Sequence, residues 1–97
     1  MSKVIVIGSG IAGLFSAIKL AEYDHEVHIL TKQQPEDSST NWAQGGIAAI
    51  LDKTNRDGIE AHIHDTITCG NGMCDENIVR LVVEEAGDRI RDLLSYG

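Results

Sequence analysis

The residues best suited to chemistry stand near the start of the chain. Gly8-Ser9-Gly10-Ile11-Ala12-Gly13 reads G-x-G-x-x-G. Glycines at that spacing suit a backbone that must bend sharply and then approach an anion. Gly8 permits the tight turn, Gly10 keeps a Cβ out of the way of a pyrophosphate, and Gly13 lets a helix pack closely on a strand. A helix opening inside such a motif aims unpaired N–H groups and partial positive charge at phosphate. The competing reading is a group of turn glycines without a ligand. A strand before the motif and a helix after it decide for the dinucleotide.

Both neighbours are there. Lys3–Ile7, KVIVI, is a short β-branched run of the kind that is buried on both faces of a parallel sheet. From Ile11 the apolar residues Ile11, Leu14, Phe15, Ile18 and Ala21 fall on one helical face, with Lys19 and Glu22 opposite. Glu22-Tyr23-Asp24-His25 ends the helix, and Glu26–Leu30, EVHIL, is a second strand. Strand, helix and strand within about 30 residues is a βαβ unit, whose crossover is expected to be right-handed. The fold class is α/β.

An acidic residue for the ribose hydroxyls normally ends the second strand of a nicotinamide-dinucleotide fold. Here Thr31 and Lys32 stand at that place, and Glu36 and Asp37 come only after Pro35. The Thr31 hydroxyl can serve a ribose instead. Lys32 is either close to the nucleotide or a solvated loop lysine.

The next stretch, SSTNWAQGGIAAI from Ser38 to Ile50, leaves the second strand at the edge where ligands bind in open α/β sheets. Ser39 and Thr40 carry hydroxyls for phosphate or ribose oxygens. Asn41 and Ala43 belong to the same stretch. Gln44 offers an amide, and Gly45 and Gly46 clear space for backbone beside a flat ring. Trp42 either covers that ring or plugs the loop as a structural aromatic. A second glycine segment suits FAD, whose isoalloxazine extends beyond the pyrophosphate.

The remainder is expected to be mostly helical. Lys32–Gly46 reads as an extended loop and Ile47–Leu51, IAAIL, as a short strand. Ile59, Ile63 and Ile67 recur every four residues, and Gly70 and Gly72 stop that helix. Asp75 is placed as an N-cap for a helix with Ile78, Leu81, Val82 and Ala86 inward. A further helical turn or two carries Ile90, Leu93 and Leu94, with Gly97 at its end. Two strands, or three, supporting three helices make an incomplete parallel sheet.

Composition narrows the function. With 97 residues the chain is one small domain at most, burying roughly 60–65% of its unfolded surface. A net charge of −7 leaves no basic stripe for nucleic acid. The apolar N-terminal run is broken by Gly8, Ser9, Gly10 and Gly13 and is too short to span a bilayer. The expectation is therefore no targeting segment, no membrane partner and a cytoplasmic location. Cys69 and Cys74 do not make a disulfide framework. With His62 and His64 they compose a Cys2His2 set, but its spacing departs from zinc ligand patterns, so they read as reduced thiols. His62, His64 and Asp65 invite an acid–base reading, against which helix packing and capping is preferred.

IVIGSGIAGL, LTK, SSTNWAQGGIAAI, HIHDT and GNGMCDENIVRLVVEEA, in this order, resemble the N-terminus of the succinate dehydrogenase/fumarate reductase flavoprotein family, and within it the branch acting on L-aspartate. The resemblance covers nearly the whole chain, and STNWAQGGIAA is its most specific part. It implies the N-terminal βαβ part of a Rossmann-like FAD-binding domain, incomplete and followed by helices, with the capping domain and the rest of the FAD domain absent. It further implies contacts to the pyrophosphate of FAD from Ser9, Gly10, Ile11 and Ala12, Lys32 near the adenosine half, and Ser39 through Gly46 along the pyrophosphate and flavin. Among the two histidines of HIHDT, the family pattern favours His62. Respiratory members offer a histidine for covalent flavin attachment at the position of Ser39, so FAD is expected to be noncovalent. The implied reaction takes a hydride from Cα of L-aspartate to flavin N5, giving iminoaspartate at the first step of NAD biosynthesis, with oxygen or fumarate as acceptor. Quinolinate synthase is the implied partner. The family's catalytic arginine lies beyond residue 97, so no catalytic residue is assigned. The alternatives are a soluble fumarate reductase or succinate dehydrogenase-type fragment, or a non-catalytic nucleotide-binding module.

Overall fold

A computed structural model describes residues 1–97. The chain forms two compact units, Met1–Gly46 and Ile47–Gly97. The first contains strand β1 (Lys3–Ile7), helix α1 (Ile11–Glu22), strand β2 (Glu26–Leu30) and a short helix α2 (Ser39–Trp42). The strands pair in parallel from Lys3 opposite Glu26 to Ile7 opposite Leu30. This is the expected βαβ unit with the expected element bounds. Gly8 then donates its N–H to the Leu30 carbonyl at 2.8 Å, so the ladder runs into the glycine loop and fixes the loop beside the end of β2.

Helix α1 packs on the Val6 side of the sheet. A Cβ on Gly13 would lie 3.4 Å from Val6 Cγ1, and Ala17 of α1 is buried. The opposite side of β1 is bare, with Ile5 63% and Ile7 85% exposed. The expectation of burial on both faces is corrected here, because one helix covers one face only.

The second unit is a helix pair, α3 (Arg56–Cys69) and α4 (Glu76–Ser95). Ile59, Ile63 and Val83 are its buried core, with Ile50, Ile67 and Val79 packed against them. Arg80 bonds Glu60 and Arg56 bonds Glu84. Partner numbers that rise on one helix while falling on the other make the pair antiparallel. Between them the chain turns through Asn71 and Gly72, both at positive φ. Asn55 caps α3 by accepting from the Gly58 N–H, and Asp75 caps α4 by accepting from Asn77 and Ile78 N–H.

Three boundaries differ from expectation. The polar loop holds α2, because the Ser38 hydroxyl caps it by accepting from the Asn41 N–H. Ile47–Leu51 forms no strand. It is held against α4, where the Arg91 guanidinium donates to the Leu51 carbonyl at 2.5 Å, and the Ile50 carbonyl comes to 2.9 Å from where a Cβ on Gly87 would sit. Its backbone is thereby engaged by a helix surface rather than by a neighbouring strand. The two helical stretches after Asp75 are one continuous helix, since Gly87 is accommodated within it as the point of close approach.

Candidate functional site: a cleft at the end of the two strands

The first unit has an open cleft of about 510 Å³ at the C-terminal end of its strands. The glycine loop supplies one wall through Gly8, Ser9 and Gly10, the end of β2 a second through Thr31 and Lys32, and the α2 region a third through Ser39 and Thr40. Each wall has a local cause. Gly8 has φ +117° with nothing near its absent Cβ, so backbone conformation requires glycine there. Gly13 is required for space, because a Cβ would overlap the Gly8 carbonyl oxygen. Gly10 has an ordinary extended conformation, φ −74° and ψ 179°. Its constraint is a neighbour: a Cβ would stand 3.2 Å from Thr40 Oγ1.

Hydroxyls hold the walls together. Ser9, only 5% exposed, shares a hydrogen bond with the Thr31 hydroxyl at 3.1 Å. Thr31 in turn reaches the Gln34 carbonyl at 3.5 Å. On the other side the Ile11 N–H donates to Thr40 Oγ1 at 3.1 Å. Hydroxyls, one lysine and the start of α1 offer donors for a phosphate ester, with the Asp37 carboxylate on the same lining.

Seven of the sixteen residues expected at the ligand therefore line one cleft: Gly8, Ser9, Gly10, Thr31, Lys32, Ser39 and Thr40. Ile11 joins them through its amide, and Ala12 and Gly13 follow in the first turn of α1. Asn41, Trp42, Ala43, Gln44, Gly45 and Gly46 do not line it. Trp42 is 73% exposed, and nothing lies within 4 Å of a Cβ built on Gly45 or Gly46. Asp37 and Ser38 also line the cleft and were not singled out from sequence. The Asp37 carboxylate accepts from the Gln34 N–H at 3.4 Å, closing its own turn. The cue for Ser38 was a capping residue directly before a short helix.

The second unit has a hollow of about 470 Å³, lined by His62 and Asp65 together with Ile47–Ile50. Within α3 the His62 carbonyl accepts from the Thr66 hydroxyl at 2.7 Å. The Cys74 thiol sits beside Gly70 and points at the Thr66 carbonyl, 3.8 Å away, which is a packing role.

The family model described as "FAD binding domain" matches residues 3–97. The chain is also similar to curated proteins named L-aspartate oxidase. It is 44% identical over 93 residues to the chloroplastic protein of Oryza sativa subsp. japonica, covering 96% of this chain and 14% of the relative. It is 45% identical over 94 residues to that of Pseudomonas aeruginosa, covering 97% and 17%. With the protein of Streptomyces coelicolor it shares 42% over 96 residues, covering 99% and 16%. The chain thus spans about one sixth of the length of these relatives. No solved structure matches it.

The residues present fit the diphosphate of such a cofactor. The loop is bent by a left-handed glycine, the buried Ser9 hydroxyl is tied to Thr31, and the cleft opens at the strand ends where open α/β sheets bind their ligands. Fold, cleft and family match converge on one conclusion: this chain belongs to the FAD-binding-domain family, and FAD is its cofactor.

Proposed function

We propose that the chain is the N-terminal portion of the FAD-binding domain of an L-aspartate oxidase. The observation that carries this reading is an identity of 42–45% sustained along nearly the whole chain with relatives of that name from a plant and two bacteria. The proposed overall reaction converts L-aspartate to iminoaspartate, the first step of NAD biosynthesis, with oxygen or fumarate as acceptor and quinolinate synthase consuming the product. When bound, the flavin of FAD accepts the hydride equivalent from the substrate.

This chain's share is to bind and orient. Ser9, Gly10, Ile11 and Ala12 receive the pyrophosphate at the start of α1. Lys32 offsets phosphate charge on the adenosine side, and Thr31 serves the ribose. Residues Ser39 to Gly46 follow the cofactor toward its ring. The segment Ser38–Gly46 contains no histidine, and Ser39 is a serine where covalent attachment would need one; binding is therefore noncovalent. A cytoplasmic location is part of the proposal; no helix here is long and apolar enough to cross a membrane.

The test uses the full-length protein purified with its flavin. Under anaerobic conditions, L-aspartate should bleach the oxidised-flavin absorbance while succinate leaves it unchanged. Mild acid should release FAD into the supernatant. Failure of aspartate to bleach, together with reoxidation of the chemically reduced enzyme by fumarate, would reassign the chain to the fumarate reductase branch. Flavin that stays with the precipitated protein would overturn noncovalent binding.

A further inference from the structure

Helix α1 begins without a capping side chain of its own. Its N-cap is Gly10, which has none to offer. The amides of Ile11, Ala12 and Gly13 have no carbonyl one turn back to bond within the helix. One of them is satisfied from 29 residues away, by the Thr40 hydroxyl accepting from the Ile11 N–H at 3.1 Å. Thr40 reaches that amide across the open face of Gly10, where a Cβ would stand 3.2 Å from Oγ1, a tight contact. Gly10 has backbone angles that any residue adopts. A Cβ there would press on the Thr40 hydroxyl before any ligand is considered.

We infer that Thr40 is a positioning residue for the phosphate loop, and that Gly10 is glycine in part to let it act. The hydroxyl stands in for the missing N-cap of α1 and joins the short helix α2 to the first turn of α1. In the cofactor-free chain it holds the Ile11 amide in place, and the amides of Ala12 and Gly13 stay open to an anion. Ser9 and Thr31 make the matching tie to β2 on the other side. The loop is thus held in shape from both sides before the cofactor arrives, which lowers the ordering cost of binding. This inference rests on the FAD reading for its consequence, but not for the tie itself.

The experiment uses the full-length protein stripped of flavin. Hydrogen exchange is followed on the peptide carrying the Ile11 amide, and FAD affinity is measured by quenching of flavin fluorescence. Thr40→Ser keeps the hydroxyl and should leave both readouts near wild type. Thr40→Ala should speed Ile11 exchange several-fold and weaken FAD roughly two- to tenfold, the worth of one hydrogen bond. Gly10→Ala should speed Ile11 exchange like Thr40→Ala, because the new methyl displaces the hydroxyl. The double variant Gly10→Ala/Thr40→Ala should then bind FAD within about twofold of Gly10→Ala alone, since residues sharing one contact are not additive. Unchanged Ile11 exchange in Thr40→Ala would overturn the tie. Losses that multiply in the double variant would show that Gly10 answers to the ligand alone. Should the wild-type protein bind no FAD, the cofactor reading fails, and the exchange result still decides the role of Thr40.

Discussion

Gly13 and Gly45 are the same residue under opposite constraints. A Cβ on Gly13 would overlap the Gly8 carbonyl oxygen, so Gly13→Ala must push α1 away from the glycine loop. Overpacking of this kind costs about 1–3 kcal/mol, and the thermal midpoint of the full-length apoprotein should fall accordingly. A Cβ on Gly45 meets nothing within 4 Å. Gly45→Ala should leave the apoprotein within about 0.5 kcal/mol of wild type, the range of substitutions away from packed features. If Gly45 flanks the bound flavin, FAD affinity should nevertheless drop in that variant; equal affinity would remove Gly45 from the site. The G-x-G-x-x-G spacing made Gly8 and Gly13 legible, because turn and close packing are local demands that a motif encodes. The closeness of Gly10 to Thr40 is not legible there, since the two are remote in sequence and no spacing rule links them. Trp42, Gln44, Gly45 and Gly46 are singled out by residue type, Asn41 and Ala43 only by family resemblance, and nothing within this chain explains why two of the six are glycine.

At the scale of elements, the antiparallel pair α3–α4 rests on a small core and an acidic-basic lattice. Ile59 is 2% exposed at the centre of that core. Ile59→Ala should cost about 2–5 kcal/mol through lost burial and the cavity left behind, measured by urea unfolding of the second unit's helices. Across the surface, bonding to Arg80 holds the Glu60 carboxyl below the usual glutamate range, and bonding to Arg56 does the same for Glu84. A carboxylate lowered in the folded chain adds stability that is fully present above its unfolded value, about 4.3 for glutamate. That stability is lost as pH falls through the folded value. The helix pair should therefore lose stability with acid below about pH 4.5. The loss should be shallower when Arg56 and Arg80 are both changed to Gln, and equal pH slopes would show that the pairs are fully solvated. The every-fourth-residue isoleucines made α3 readable, and Asp75 made the start of α4 readable. Ile47–Leu51 misled because a short apolar run is also what a segment needs to lie along a helix. Only the carbonyls engaged by Arg91 and brought against Gly87 separate the two cases, and both partners lie some 40 residues on.

The whole molecule has more apolar surface than its two units can cover. Only Ala17, Ile59, Ile63 and Val83 are buried apolar residues. Ile5 and Ile7 in the first unit, and Leu81, Val82 and Leu94 in the second, stand in water. Four small or aliphatic residues are a thin core for a chain of 97. A two-stranded parallel sheet covered on one face is likewise below what a stable α/β layer needs. The relatives are about six times longer than the matched region, and under the proposed function the cover would come from the rest of such a protein. The 97 residues expressed alone should consequently melt without a sharp transition and bind FAD at least a hundredfold more weakly than the full-length protein. Calorimetry and flavin-fluorescence titration on both forms measure this directly. A single cooperative transition with one flavin bound per isolated chain would mean that the exposed isoleucine face is tolerated, and that the phosphate cleft is held by Thr40, Ser9 and Thr31 without outside support.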